Sequence, residues 1–153
     1  MEIEQLSARQ LLLKTWDEGW DKSWWWPAFN VAFQDLTPQQ AAWKPAPQRH
    51  SIWQILNHMC FWREVTVCRA RGEKPPDEEL ERRNFEEPAE VSDAAWRDAL
   101  VRLERTQRLV REAMADEAID LDRFRFLLPH DAHHVGQVTY VRALQGLPPH
   151  QYG

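Results

Sequence analysis

Ser51-Ile52-Trp53-Gln54-Ile55-Leu56-Asn57-His58-Met59-Cys60-Phe61-Trp62-Arg63-Glu64-Val65 decides how the rest of the chain is read. Ser51 and Gln54 make a capping box, in which the hydroxyl accepts a backbone N–H three residues on and the glutamine reaches back. From there Ile55, His58, Trp62 and Val65 form one stripe at helical spacing, with Ile52, Leu56 and Met59 beside it. Gly72 is the natural stop. The segment therefore reads as a long helix with one imidazole, His58, on its apolar face, where an unpaired ring would be costly to bury.

Upstream, the same signature opens two more helices. Ser7 with Gln10 caps a helix that Leu6 and Leu11 can staple, and that runs to about Asp17 or Trp20. Trp24-Trp25-Trp26 precedes Pro27, which suits the first turn of a new helix, and Phe29, Ala32, Phe33 and Leu36 follow at helical spacing. Thr37 with Gln40 opens a single turn ending near Trp43, and Lys44-Pro45-Ala46-Pro47 must be extended. Downstream, residues 73–90 hold eight acids, three bases and three prolines, so the whole net charge of −5 sits there. That composition predicts a solvated crossover loop around the outside. Ser92 caps another long helix whose Trp96, Leu100, Leu103, Val110 and Ala113 face the core. Leu121–Leu128 mixes apolar and charged residues without a clear period; a last helix begins near Pro129 and stops at Gly146. Three long helices, a broken N-terminal one and a long second crossover predict an all-α four-helix bundle.

Composition bounds the rest. A chain of 153 residues has no room for two ordinary cores, so one helical domain over residues 1–153 is expected. It buries roughly two-thirds of its unfolded surface and needs no structural metal or disulfide to fold. With 5 glycines it has no phosphate-cradling glycine loop, and with 19 basic against 24 acidic residues it has no basic stripe for nucleic acid. No apolar run reaches the ~20 residues that cross a bilayer, and Met1-Glu2-Ile3-Glu4-Gln5 is not expected to start a signal peptide. Cys60 and Cys68, eight apart, point in different directions on one helix and read as small buried hydrophobes of a cytoplasmic protein.

The histidines carry the chemistry. His130 and His134 are four apart, so their rings project from one helix face about 6 Å apart and can close on one divalent ion. His58 on a facing helix could add a third nitrogen, since bundle interiors are where facing helices supply metal ligands. Spacing alone does not choose between His133 and His134, both neighbours of His130. A His-Glu-x-x-His sequence is absent, which removes the zinc-protease reading. His50 and His150, in proline-flanked loops, are expected to be solvated.

His134-Val135-Gly136-Gln137, with His130 four residues before and Arg142 five after the glutamine, resembles the closing motif of the DinB/YfiT-like superfamily. Leu36-Thr37-Pro38-Gln39-Gln40-Ala41-Ala42-Trp43-Lys44-Pro45, followed by Ser51 to His58, is similar to that family's second block. The two blocks match in order and separation, and the resemblance covers most of residues 24–147. It implies a DinB-like four-helix bundle of up-down-down-up type. It also implies a divalent metal, zinc or nickel, held by His58, His130 and His134, the motif position selecting His134 over His133. Members include thiol-dependent S-transferases, maleylpyruvate isomerases and proteins assigned as metal-dependent hydrolases, and they often dimerise.

A metal with three imidazoles and an open position lowers the pKa of a bound water or thiol and delivers it as a nucleophile. The partners expected are a small-molecule substrate, with a low-molecular-weight thiol such as bacillithiol in the transferase case, and a second copy of the chain. Asp131, Glu64 and Gln137 are candidates to orient the histidines from behind. Trp24 to Trp26, Trp53 and Trp62 could wall an apolar pocket over the metal or simply fill the core. The alternatives to an enzyme are a bundle that binds metal without turnover, in storage or a stress response, and a structural bundle with incidental histidines.

Overall fold

The computed structural model describes residues 5–150. The reading of Met1–Glu4 as lacking a leader lies outside them. Well over half of the described residues are helical and none lies in a strand. The helices are α1 (Ala8–Asp21), α2 (Phe29–Ala32), α3 (Pro38–Ala42), α4 (Ile52–Ala70), α5 (Asp77–Arg83), α6 (Asp93–Ala115) and α7 (Leu127–Leu144), with one 3₁₀ turn over Leu121–Phe124.

Local chemistry accounts for most boundaries. Ser7, Thr37 and Ser51 each accept from the backbone N–H of a glutamine three residues on, and Gln10, Gln40 and Gln54 return the bond. Ser92 caps α6 through Ala95 N–H. Gly72 and Gly146 end α4 and α7 at φ of +85° and +70°, a conformation that a Cβ would strain. α7 starts at Leu127, two residues ahead of expectation, because a proline in the first turn lacks only an N–H that has no partner there anyway. The ambiguous stretch before it is the 3₁₀ turn, which Asp120 caps and which buries Phe124.

The four long helices form a bundle. α1 and α6 are antiparallel: Trp16 Nε1 donates to the Gln107 carbonyl at 3.1 Å and Gln107 Nε2 donates back to the Trp16 carbonyl at 3.2 Å. Arg9, at the start of α1, reaches the carbonyls of Met114, Asp116 and Ile119 at the far end of α6. α4 and α6 run in the same direction. Trp53 packs edge-on against Trp96 near their starts, centroids 4.9 Å apart, and Val67 joins Val110, Ala113 and Met114 near their ends. α7 runs against α4, with Leu127 beside Val67 at one end and Val138 and Val141 beside Ile52 and Leu56 at the other. The crossover from α4 to α6 carries the chain back to its starting end.

That crossover differs from the solvated loop expected. Residues 77–83 form α5, with three acids in its first turn and two arginines in its last, charges placed to complement the helix dipole. The chain then turns inward, and Gln54 Nε2 and Asn57 Nδ2 of α4 donate to the carbonyls of Phe85 and Glu86 at 3.0 and 2.9 Å. A segment chosen for solubility by composition is thus tied to the core helix at its far end.

One buried ion pair links the helices. Arg63 of α4 and Asp131 of α7 have no exposed side-chain surface, and Nε donates to Oδ2 at 2.7 Å. Arg63 Nη1 also donates to the Leu103 carbonyl and Thr106 Oγ1 of α6, each at 3.3 Å. Its guanidinium lies 5.0 Å from the Trp16 ring of α1. Asp131→Ala should therefore cost about 3–5 kcal/mol, because it strands a buried guanidinium, measured by urea unfolding of the metal-free protein.

Candidate metal centre

α4 and α7 bring His58, His130 and His134 together: one ring nitrogen from each lies within 4.8 Å of the others. His58 and His134 are buried and His130 half-buried. The Nε2 atoms of His58 and His130 are 3.1 Å apart.

The outer nitrogens fix the tautomers. His58 Nδ1 lies 2.7 Å from Asn84 Oδ1, which also accepts from Trp62 Nε1 at 3.2 Å. His130 Nδ1 lies 3.0 Å from Asp131 Oδ1, whose other oxygen is held by Arg63. His134 Nδ1 lies 2.7 Å from Gln137 Oε1, while Gln137 Nε2 faces His133 Nε2 at 3.3 Å. Each Nδ1 faces an oxygen acceptor and so carries the proton, leaving every Nε2 as a bare lone pair. Lone pairs at 3.1 Å repel unless a cation lies between them, so the donor set fits a divalent metal. Asp131 and Gln137 both stand behind histidines in the manner that orients metal ligands.

Burial acts in the same direction. It pushes the His58 imidazole down to about 4, with the neighbouring His134 adding to the effect. Burial likewise pushes His134 down to about 4, against the bond from Gln137 and with the field of His130. Neutral imidazoles are the form that binds metals.

The structure separates the other candidates. His133 is exposed and outside the cluster. Glu64 does not meet the histidines; it pairs with Arg102 at 2.8 Å, Arg105 at 3.3 Å and Arg83 at 3.4 Å. Burial opposes its charge, yet Arg102 foremost among these arginines holds its carboxyl below the ordinary value. Trp24 and Trp25 are exposed, Trp26 packs half-buried against the core, Trp53 fills it, and Trp62 approaches the site, its ring 6.3 Å from that of His58. Cys60 is buried, as expected, and burial pushes its thiol up; Cys68 is only half-buried.

Three contributors were not foreseen. Asn84 and Phe85 come from the crossover, and His50 from a loop expected to be solvated. Phe85 stacks between two imidazoles, 3.8 Å from His58 on one side and 3.8 Å from His50 on the other. Its backbone is left-handed at φ +55°, rare for a residue with a Cβ. The one available signal was a lone aromatic among eight acids. His50 is itself exposed, as expected, with its ring laid on Phe85, whereas His150 is half-buried and burial lowers its pKa.

A helical bundle with a three-histidine cluster between facing helices defines a class of candidate metal proteins. The chain belongs to the DinB superfamily, whose family model matches residues 23–138. No curated protein and no solved structure matches it.

The lowered imidazoles predict a sign for the pH dependence of the metal-free fold. Above pH 6.5 His58 and His134 are neutral folded or unfolded; between 6.5 and about 4 the unfolded chain takes up protons that the folded site refuses. Stability should fall as pH drops through that window, read as a decreasing Tm in chelator. His58→Gln should flatten the slope.

Proposed function

We infer that this DinB-superfamily protein binds a divalent metal, zinc or nickel, through His58, His130 and His134, and acts as a metal-dependent enzyme on a small molecule. Hydrolysis and transfer to a low-molecular-weight thiol are the two reaction types this donor set serves. The observation that carries the reading is the set of oxygen acceptors at Nδ1, which turns three Nε2 lone pairs toward one another.

Three neutral imidazoles leave the coordination sphere incomplete, whereas structural zinc sites usually fill all four positions with protein atoms. A bound metal would supply a Lewis acid that lowers the pKa of water or a thiol to near neutrality. The chain's own residues do the rest. Asn84, Asp131 and Gln137 hold the tautomers and ring planes, and Phe85 covers one face of His58 and excludes water from it. Arg63 holds Asp131, so a core side chain braces a ligand through one intermediary. The free thiols suit a reducing compartment, and we assign the protein to the cytoplasm on that ground.

Metal analysis with titration calorimetry tests the reading. His58→Ala and His134→Ala should abolish stoichiometric zinc binding, while His133→Ala should retain it within about a factor of three, as expected for an exposed neighbour. Metal loss from the His133→Ala protein alone would move the site by one residue. Chelated protein should keep its helix signal and lose only the Tm increment that ligand binding adds by mass action. Unfolding on chelation at room temperature would make the metal structural.

A further inference from the structure

Beside the histidine cluster, between the 45–50 loop and α7, runs an open groove of about 840 Å³, a volume in the range of small-molecule sites. Ile55, Tyr140, Val141 and Leu144 give it an apolar lining, and Gln137, which holds His134, forms part of its wall. α7 carries two charged residues, Asp131 and Arg142, and both are buried. The groove's only formal charge is therefore Arg49, exposed and without an ion-pair partner among the described residues. Within a protein of net charge −5, a lone cation on an apolar groove selects an anion with an apolar body.

Gly136, in the middle of α7, points to the same use. A glycine inside a helix costs about 0.5–1 kcal/mol relative to alanine. At Gly19 packing accounts for it, since a Cβ there would press on Leu128 Cδ1 at 3.0 Å and on the Phe29 ring at 3.4 Å. At Gly136 a Cβ would meet nothing within 4 Å, and the backbone is ordinary helix. The fold has no need of this glycine; what its missing side chain keeps clear is the groove.

We propose that the groove binds a small carboxylate with a flat apolar body, its carboxylate on Arg49 and its body over Gly136 and against Tyr140. Gln137, whose Oε1 lies 2.7 Å from His134 Nδ1, forms part of the groove wall, so a molecule seated there touches the residue that orients this imidazole from behind.

Naphthalene-2-carboxylate, with its neutral carboxamide as control, tests this by titration into isotope-labelled, zinc-loaded protein followed by amide chemical shifts. The carboxylate should shift the amides of Arg49, Gly136 and Tyr140 and bind roughly tenfold tighter than the carboxamide. Arg49→Gln should erase that preference, and Gly136→Leu, which fills the groove with a good helix former, should weaken binding by roughly tenfold or more. Equal affinity for the two probes, shifts centred elsewhere, or parent-like binding by Gly136→Leu would overturn the proposal. So would a Gly136→Leu protein that sediments as a monomer when the parent is a dimer, since a second copy would then own the groove. Zinc uptake without probe binding overturns the groove and leaves the metal reading standing. Probe binding that persists in a protein unable to take up zinc supports the groove and removes the metal reading.

Discussion

Arg63 and Asp131 are the pair on which the arrangement depends. Both side chains are completely buried, which is tolerable only because each is paired and further hydrogen-bonded. Arg63 contacts α6 through the Leu103 carbonyl and Thr106, α1 through the face of Trp16, and α7 through Asp131. A hydrophobic residue of similar volume could fill the space, but it could not dictate the rotation of α7. The carboxylate does: its two oxygens look in different directions, one to the core arginine and one to His130. The helix register that satisfies the ion pair is the one that points the three histidines together.

The second constraint comes from the crossover. Phe85 adopts a left-handed backbone that costs on the order of 1–3 kcal/mol. Two side-chain bonds from α4 to the backbone at Phe85 and Glu86 offset this, as does a ring stacked between His50 and His58. The strain falls where the segment must turn from an exposed acidic helix to a half-buried aromatic in one or two residues. Asn84, at the same turn, holds the His58 proton on Nδ1. The acidic run keeps the strap soluble, and its last residues fasten it over the site.

These features differ in how far the sequence reveals them, and the difference follows the range of the interactions. Three capping boxes and two glycine stops are legible because each is a contact within a few residues, and together they suffice to outline a helical bundle. Asp131 and Gln137 are within reach because they share a helix with His130 and His134 and sit one and three residues away. Glu64 was expected near the histidines because it lies on the same helix as His58, but it faces the arginines of α5 and α6. Which way that face looks is decided by neighbouring helices, not by the period of α4. Asn84, Phe85 and His50 act through contacts that span 26 to 35 residues, and composition pointed the other way.

The position of the site within the core argues for function over scaffolding. One apolar cluster, from Phe29 and Ile52 through Val135 to Val141, fills one end of the bundle. A second, from Trp16 and Val67 to Phe124 and Leu127, fills the other. Arg63, its aromatic neighbours Trp16 and Phe29, and Asp131 fill the space between α4, α6, α7 and α1. The histidines stand on the outer side of that layer, with His133 and His130 toward solvent and the groove alongside. Neither apolar cluster includes a histidine, so each can form without an ion at the site. A metal used as a staple sits where the core is missing. Here the core is complete on both sides, and the bare nitrogens face one another beside it, with the half-buried His130 nearest the surface, so an ion between them would not be what holds the bundle together.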